Sequence, residues 1–210
     1  MNCYNSDRFL KEAIDSVYAQ TYQNWEIIFW DNCSTDNSAL IAKNYDERLK
    51  YFHVEKTSPL GKARNFALKK ASGNYVAFLD CDDLYLPDKL MIQLNLMQSK
   101  DAVLSYGSWI KINEKGEKLS EHKITNNFGY EFESLLSKYR VNSQTIMLDN
   151  NFLIENKINF DENLAFSTDH NLVLRIALNY PVLAINHLLA KYRVHEYSMS
   201  SNKKLDKIND

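Results

Sequence analysis

Val76-Ala77-Phe78-Leu79-Asp80-Cys81-Asp82-Asp83 is an apolar run that ends abruptly in three carboxylates. Such a run reads as a buried strand whose end delivers acids to the rim of a sheet. Carboxylates this close repel one another unless a cation sits between them. Their hard oxygens suit Mg²⁺ or Mn²⁺ that also holds phosphate oxygens. An acidic turn capping the next helix accounts for the same eight residues, so the flanking chain has to decide.

Outward from this segment the chain alternates. Residues 6–22 carry Phe9, Leu10, Ala13, Ile14 and Val17 at helical spacing, with Ser6 or Asp7 as a cap. Residues 25–30 form an aromatic and β-branched strand that ends in Asp31-Asn32-Cys33-Ser34-Thr35-Asp36, and a helix follows through Ala39, Leu40 and Ala42. The pattern repeats with a strand over 51–54, a Ser58-Pro59-Leu60-Gly61 loop, a helix over 62–71 and a strand over 75–79. Alternation of this kind predicts an α/β fold with a mostly parallel sheet flanked by helices, whose ligands gather outside the carboxyl ends of the strands. The loops at 2–5, 31–36 and 80–83 then share one rim.

Pro87 marks the first turn of the next helix, and beyond it the rhythm changes. Strands are predicted over 102–106 and 109–112, a turn at 113–116, a strong helix over 169–178 and a strand over 182–185. Residues 120–163 lack a βαβ rhythm and are expected to shape a second ligand's pocket. No strand is predicted before the first helix, where a doubly wound sheet has its central strand. The natural chain is therefore expected to begin several residues upstream.

The 210 residues, 45% hydrophobic and 25% charged, suit one main globular domain over 1–200 with a polar tail over 201–210. A net charge of -2 supplies no basic field, which argues against nucleic acid as the main partner. No apolar run approaches the ~20 residues of a membrane span, and the N-terminus lacks the pattern of a secretory signal, so a cytoplasmic location is expected. Cys3, Cys33 and Cys81 form neither an even framework nor a metal-spaced cluster, which fits a reducing compartment.

Tyr4-Asn5, the helix Phe9-Leu10-Lys11-Glu12-Ala13-Ile14-Asp15-Ser16-Val17 with Ala19-Gln20-Thr21-Tyr22, and Asp31-Asn32-Cys33-Ser34-Thr35-Asp36 resemble family 2 glycosyltransferases of the GT-A fold. Gly61-Lys62-Ala63-Arg64-Asn65, the acid run, Asp169 ahead of Leu172-Val173-Leu174-Arg175, and Tyr192-Arg193-Val194-His195 with Ser198 and Ser200 continue the resemblance in order. Each motif is weak alone, and their joint order is specific. The resemblance implies a Rossmann-like nucleotide-sugar half over about 1–100 and a smaller acceptor half over about 101–200. It also implies a metal-dependent, inverting transfer of sugar from a nucleotide diphosphate sugar, a UDP-sugar first, to a saccharide or lipid-linked hydroxyl. The setting would be bacterial surface polysaccharide, lipooligosaccharide or capsule synthesis. The tail's Lys203, Lys204 and Lys207, offset by Asp206 and Asp210, add little signal for peripheral attachment to the inner face of a membrane.

By the same resemblance Asp31 reads the nucleotide base, and a carboxylate can accept the imide N–H of uracil or thymine, or the N1–H and amino group of guanine. Tyr4 and Asn5 belong to the other nucleotide loop, and Arg64 reaches ribose, base or diphosphate. Asp80, Cys81 and Asp82 form the Asp-X-Asp element and are all expected to bind the nucleotide sugar, with Asp80 near the ribose or a metal-bound water, Asp82 the direct ligand of Mg²⁺ or Mn²⁺, and Asp83 a substitute. His195 closes over the metal or diphosphate. Asp169 is the base that deprotonates the acceptor for in-line attack. The plainer readings are a strand end for Asp31, a salt bridge for Arg64, an N-cap for Asp169 and an exposed side chain for His195. Asp36 reads as a structural N-cap.

Two departures stand out: Asn32-Cys33 where relatives carry Asp-Gly, and Thr168 where Glu often precedes the base. A phosphatase with an Asp-X-Asp nucleophile wants Thr or Val where Leu84 stands, and explains neither Asp31 nor Asp169. A nucleotide-sugar-binding module without turnover is the other alternative.

Overall fold

The computed structural model describes residues 1–196 and Ser198, so Ser200 and the tail expected at 201–210 lie outside the described residues. The first sheet is parallel, in the order β1 (Asn2–Cys3), β2 (Ile27–Asp31), β3 (Leu49–His53). Helix α1 (Asp7–Tyr18) connects β1 to β2 and buries Phe9, Leu10, Ala13, Ile14 and Val17, the stripe its periodicity predicts. A strand does precede the first helix, against expectation. It is two residues long, too short to carry a period.

Asp36 caps two helices at once. Its Oδ2 accepts the Asp7 N–H at 2.9 Å, and its Oδ1 accepts the Ser38 N–H at 2.9 Å at the start of α2 (Ser38–Ala42). The side chain of Ser6, one of the expected caps of α1, makes no capping bond.

The second sheet has the order β4 (Tyr75–Ala77), β9 (Met147–Asp149), β6 (Leu104–Ile112), β10 (Val182–Arg193), β5 (Leu84–Tyr85). Strand β7 (Lys118–His122) pairs with β6, and β8 (Asn127–Gly129) pairs with β10. Among the described residues parallel pairing is confined to the first sheet and to β6–β10. The α/β fold stands, but its sheets are more mixed than the early βαβ rhythm implied. That rhythm ends at β4, and later strands join through short connections such as the turn at Gly116, which takes φ +80°.

Strand β6 runs unbroken where two strands were predicted. Gly107 sits in its middle because a Cβ there would lie 2.4 Å from Leu189 Cδ1 and 3.1 Å from the Ile185 carbonyl. Opposite it the β6–β10 register shifts twice, between Ile185 and Ala190.

Helix α3 (Leu60–Leu68) packs on β2, while α4 (Lys89–Lys100) lies along β6 and β10. Helix α5 (Phe132–Ser137) meets α7 (Thr168–Ala177), whose Leu172, Val173, Ile176 and Ala177 join the same core as Leu104, Tyr106 and Leu148. The remaining helix, α6 (Asn150–Glu155), follows β9 and is capped by Asp149, whose Oδ1 accepts the Phe152 N–H. Among the described residues no ladder joins β2 to β4. A cavity of about 530 Å³ lies there, lined by Ile27, Ile28, Val76, Phe78, Leu79 and Met147 among others. The Met1 ammonium is buried beside it and donates to the Ile28 carbonyl at 2.8 Å, and burial pushes its pKa down.

Candidate functional site

The three rim loops meet. The Asn5 N–H donates to Ser34 Oγ at 3.1 Å, Asn5 Oδ1 accepts the Thr35 N–H at 2.8 Å, and Cys81 Sγ donates to the Asn2 carbonyl at 3.4 Å. Asn5 holds this junction at φ 49°, and Tyr4 beside it is exposed. Cys33 takes φ 72°, a left-handed conformation that costs most side chains about 1–2 kcal/mol and explains why glycine suits that position. Its Sγ donates to the Glu55 carbonyl at 3.3 Å.

Asp31 ends β2 with its side chain 0% exposed. Oδ1 accepts the Ser34 N–H at 2.8 Å, while Oδ2 accepts Tyr51 Oη at 2.5 Å and faces His53 Nδ1 at 3.4 Å. Burial pushes this carboxyl up, but the bonds from Tyr51, Ser34 and His53 outweigh it and hold the pKa below the usual carboxylate range. Asp31 thus forms the floor of the loop, enclosed by protein donors. Tyr51 and His53 were not legible from sequence, because the β2–β3 register sets them opposite Phe29 and Asp31.

The acid run is organised by groups remote in sequence. Gln144 Nε2 donates to Asp80 Oδ2 at 2.6 Å, and its Oε1 accepts the Asp80 N–H at 2.8 Å. Asp82 Oδ2 lies 2.9 Å from His195 Nε2. Burial and then the Asp80 charge push the Asp82 carboxyl up, and His195 opposes them. Asp83 is no substitute ligand: it is buried, and its Oδ1 accepts the Arg193 N–H at 2.7 Å. Burial and its two acidic neighbours push its pKa well above normal. The expectation for Cys81 also needs correction. Its thiol is buried against Cys3 and the Asn2 carbonyl, so only its backbone can face a nucleotide.

Arg193, itself buried, anchors the end of β10 two residues before His195. Its Nε donates to the Asp82 carbonyl at 2.9 Å, Nη1 to the Glu114 carbonyl at 2.9 Å, and Nη2 to Glu12 Oε2 at 2.6 Å. The last residue of β10 is thereby tied to α1 and to the acid loop.

Arg64 on α3 is the other buried tie. Nη1 donates to Thr168 Oγ1 at 3.0 Å, and Nη2 reaches Asp80 Oδ1 at 3.4 Å. Thr168 opens α7 and immediately precedes Asp169, so one guanidinium spans the acid run and the proposed base. Gly61 lets α3 approach: a Cβ there would stand 2.6 Å from the Asp161 carbonyl and 3.4 Å from Thr168 Cγ2. Ser167, just before Thr168, is held at φ 53°. With Asn5 and Cys33 it places left-handed backbone in two of the rim loops and in the turn before α7, where strain commonly marks function.

Asp82 and His195 offer one oxygen and one nitrogen on the same side of this cleft. Among the described residues no three His, Cys, Asp or Glu side chains form a ready cage. Mg²⁺ and Mn²⁺ prefer to keep phosphate and water oxygens, so two protein ligands of this kind fit a cation shared with a diphosphate. Among the described residues no helix is long and apolar enough to cross a membrane.

The model of glycosyl transferase family 2 matches residues 1–169. The Escherichia coli UDP-Glc:alpha-D-GlcNAc-diphosphoundecaprenol beta-1,3-glucosyltransferase WfgD is 34% identical over 97% of this chain and 79% of that enzyme. An uncharacterized glycosyltransferase of Rickettsia felis is 35% identical over 91% of this chain, which spans only 32% of it. Among solved structures, S. aureus TarS 1–349 in complex with UDP-GlcNAc superposes with a TM-score of 0.79 at 23% identity, over 96% of this chain and 59% of TarS 1–349. The Pyrobaculum calidifontis mannosyltransferase PcManGT in complex with GDP-Man and Mn2+ gives 0.72 at 16% identity, over 100% of this chain and 63% of that one. These two likenesses speak for the fold, a GT-A architecture, and the sequence relationships go further: the chain belongs to glycosyl transferase family 2.

Proposed function

We propose that the chain transfers a sugar, with inversion, from a UDP-sugar or related nucleotide diphosphate sugar to a hydroxyl of a saccharide or lipid-linked acceptor in bacterial surface glycan assembly. What supports this reading is the Arg64 bridge between Asp80 and Thr168, the residue directly before Asp169. Tyr4, Asn5, Asp31 and the Asp80–Asp82 backbone would hold the nucleotide. Asp31 acts from beneath, and direct contact with the base requires the groups that enclose its side chain, Tyr51 and His53 among them, to move aside. Arg64 would steady the diphosphate from its place beside Asp80.

Asp82 and His195 would hold Mg²⁺ or Mn²⁺, whose chemistry is to neutralise charge on the departing diphosphate. Asp169 takes the proton of the acceptor hydroxyl as that oxygen attacks the anomeric carbon from the face opposite the leaving group. The acceptor class follows WfgD, whose name records a diphosphoundecaprenol substrate. Such an acceptor would set the reaction at the cytoplasmic face of a membrane.

The test is transfer by the full chain with Mn²⁺, UDP-sugars and a panel of acceptors. Asp169→Asn should abolish transfer, by about 10³-fold or more, and leave donor affinity within about twofold, because the base acts on the acceptor. Equal loss of donor binding would refute the assignment. Donor binding with no turnover by the wild type would favour a binding module instead.

A further inference from the structure

Tyr139 lies two residues beyond α5, in the stretch whose sequence has no clear period. Its ring stacks on His170, with centroids 3.8 Å apart and planes inclined by 25°. His170 follows Asp169 directly. The phenol is close enough to Asp169 and Arg64 for both charges to act on it. Yet among the described residues neither the buried Tyr139 Oη nor the buried His170 Nε2 has a hydrogen-bond partner.

Buried hydroxyls are nearly always paired, and an orphan next to a reactive carboxylate calls for a group that is absent when no substrate is bound. Core packing does not account for it. Phenylalanine would fill the same volume and keep the stack without the cost of desolvating an oxygen.

We propose that Tyr139 is a positioning residue whose hydroxyl hydrogen-bonds a pyranose hydroxyl held beside Asp169, while the His170 stack fixes its direction. This rests on the reading of the cleft as a glycosyl-transfer site. Two sources supply that pyranose, the donor sugar and a saccharide acceptor, and the measurements separate them.

Full-length wild type and Tyr139→Phe are compared in three ways: melting temperature without ligand, affinity for UDP and for UDP-glucose or UDP-N-acetylglucosamine, and acceptor KM under turnover. Removal of an orphan hydroxyl should leave Tm unchanged or raise it by up to about 4 °C, whereas loss of a structural bond would lower it. UDP affinity should not change. A neutral hydrogen bond corresponds to about a 2–12-fold effect. That effect in UDP-sugar affinity assigns the hydroxyl to the donor sugar, and in acceptor KM it assigns it to the acceptor.

A lower Tm with both sugar readouts unchanged would make Tyr139 structural and overturn the proposal, as would unchanged sugar readouts at any Tm. A wild type that neither binds UDP nor turns over any donor would overturn the reading of the cleft, and this proposal with it.

Discussion

Lys89, the first residue of α4, is 0% exposed, and its Nζ finds no acceptor among the described residues. The ammonium lies 4.2 Å from the centroid of the Tyr85 ring, and burial pushes its pKa from 10.5 down to about 7. At about 1.36 kcal/mol per unit, this displacement destabilises the folded chain by about 4 kcal/mol at pH 7. The direction follows from proton counts. Between pH 7 and 10.5 the unfolded lysine holds more proton than the folded one, so the stability contributed by this site rises with pH across that window. The penalty is full below pH 7 and vanishes as the unfolded lysine deprotonates. Lys89→Met keeps the length and apolar stem and loses the cation over Tyr85, worth about 1 kcal/mol. The net gain should be about 3 kcal/mol at pH 7, or about 6–12 °C in Tm. At pH 10 it should shrink below about 1 kcal/mol. Calorimetric melting at both pH values decides the matter. A variant no more stable than wild type at pH 7, or a gain of the same size at pH 10, would refute the argument.

Other perturbations probe the ties around the acid run. Gln144→Leu removes both bonds to Asp80 and orphans its N–H, so donor KM should rise about 10-fold, the cost of a charge-assisted hydrogen bond, while circular dichroism shows an intact fold. Arg193→Met strands the Asp82 and Glu114 carbonyls and frees Glu12, and should cost about 2–4 kcal/mol in urea unfolding. It should also weaken Mn²⁺ binding, since His195 loses its seat. Unaltered Mn²⁺ affinity in a destabilised Arg193→Met protein would separate the fold from the site.

Much of the cleft was legible because its parts sit where local rules put them. An apolar run that meets an acid reads as a strand reaching a rim, and Asp31 does end β2, whereas β4 stops at Ala77, short of the predicted 79, and the acid run lies in the loop beyond it. The stripe of α1 and the acid at the start of α7 follow from helical periodicity and helix-terminal preference. Asp36 showed its capping role, though not that it serves two helices. Gln144, Thr168, Tyr51 and Tyr139 left no such trace. Each acts through a partner dozens of residues away or through register, and neither leaves a period in the chain.

Local chemistry alone therefore determined the α/β class, the order of the loops and the family motifs, since propensity and hydrophobic spacing act over a few residues. Tertiary structure decided which acids face the cleft and which are enclosed. Of two adjacent and chemically identical acids, Asp83 turns inward and Asp82 outward. That choice is made by Arg193 and His195 more than a hundred residues later, through contacts that form only once β10 has closed the sheet.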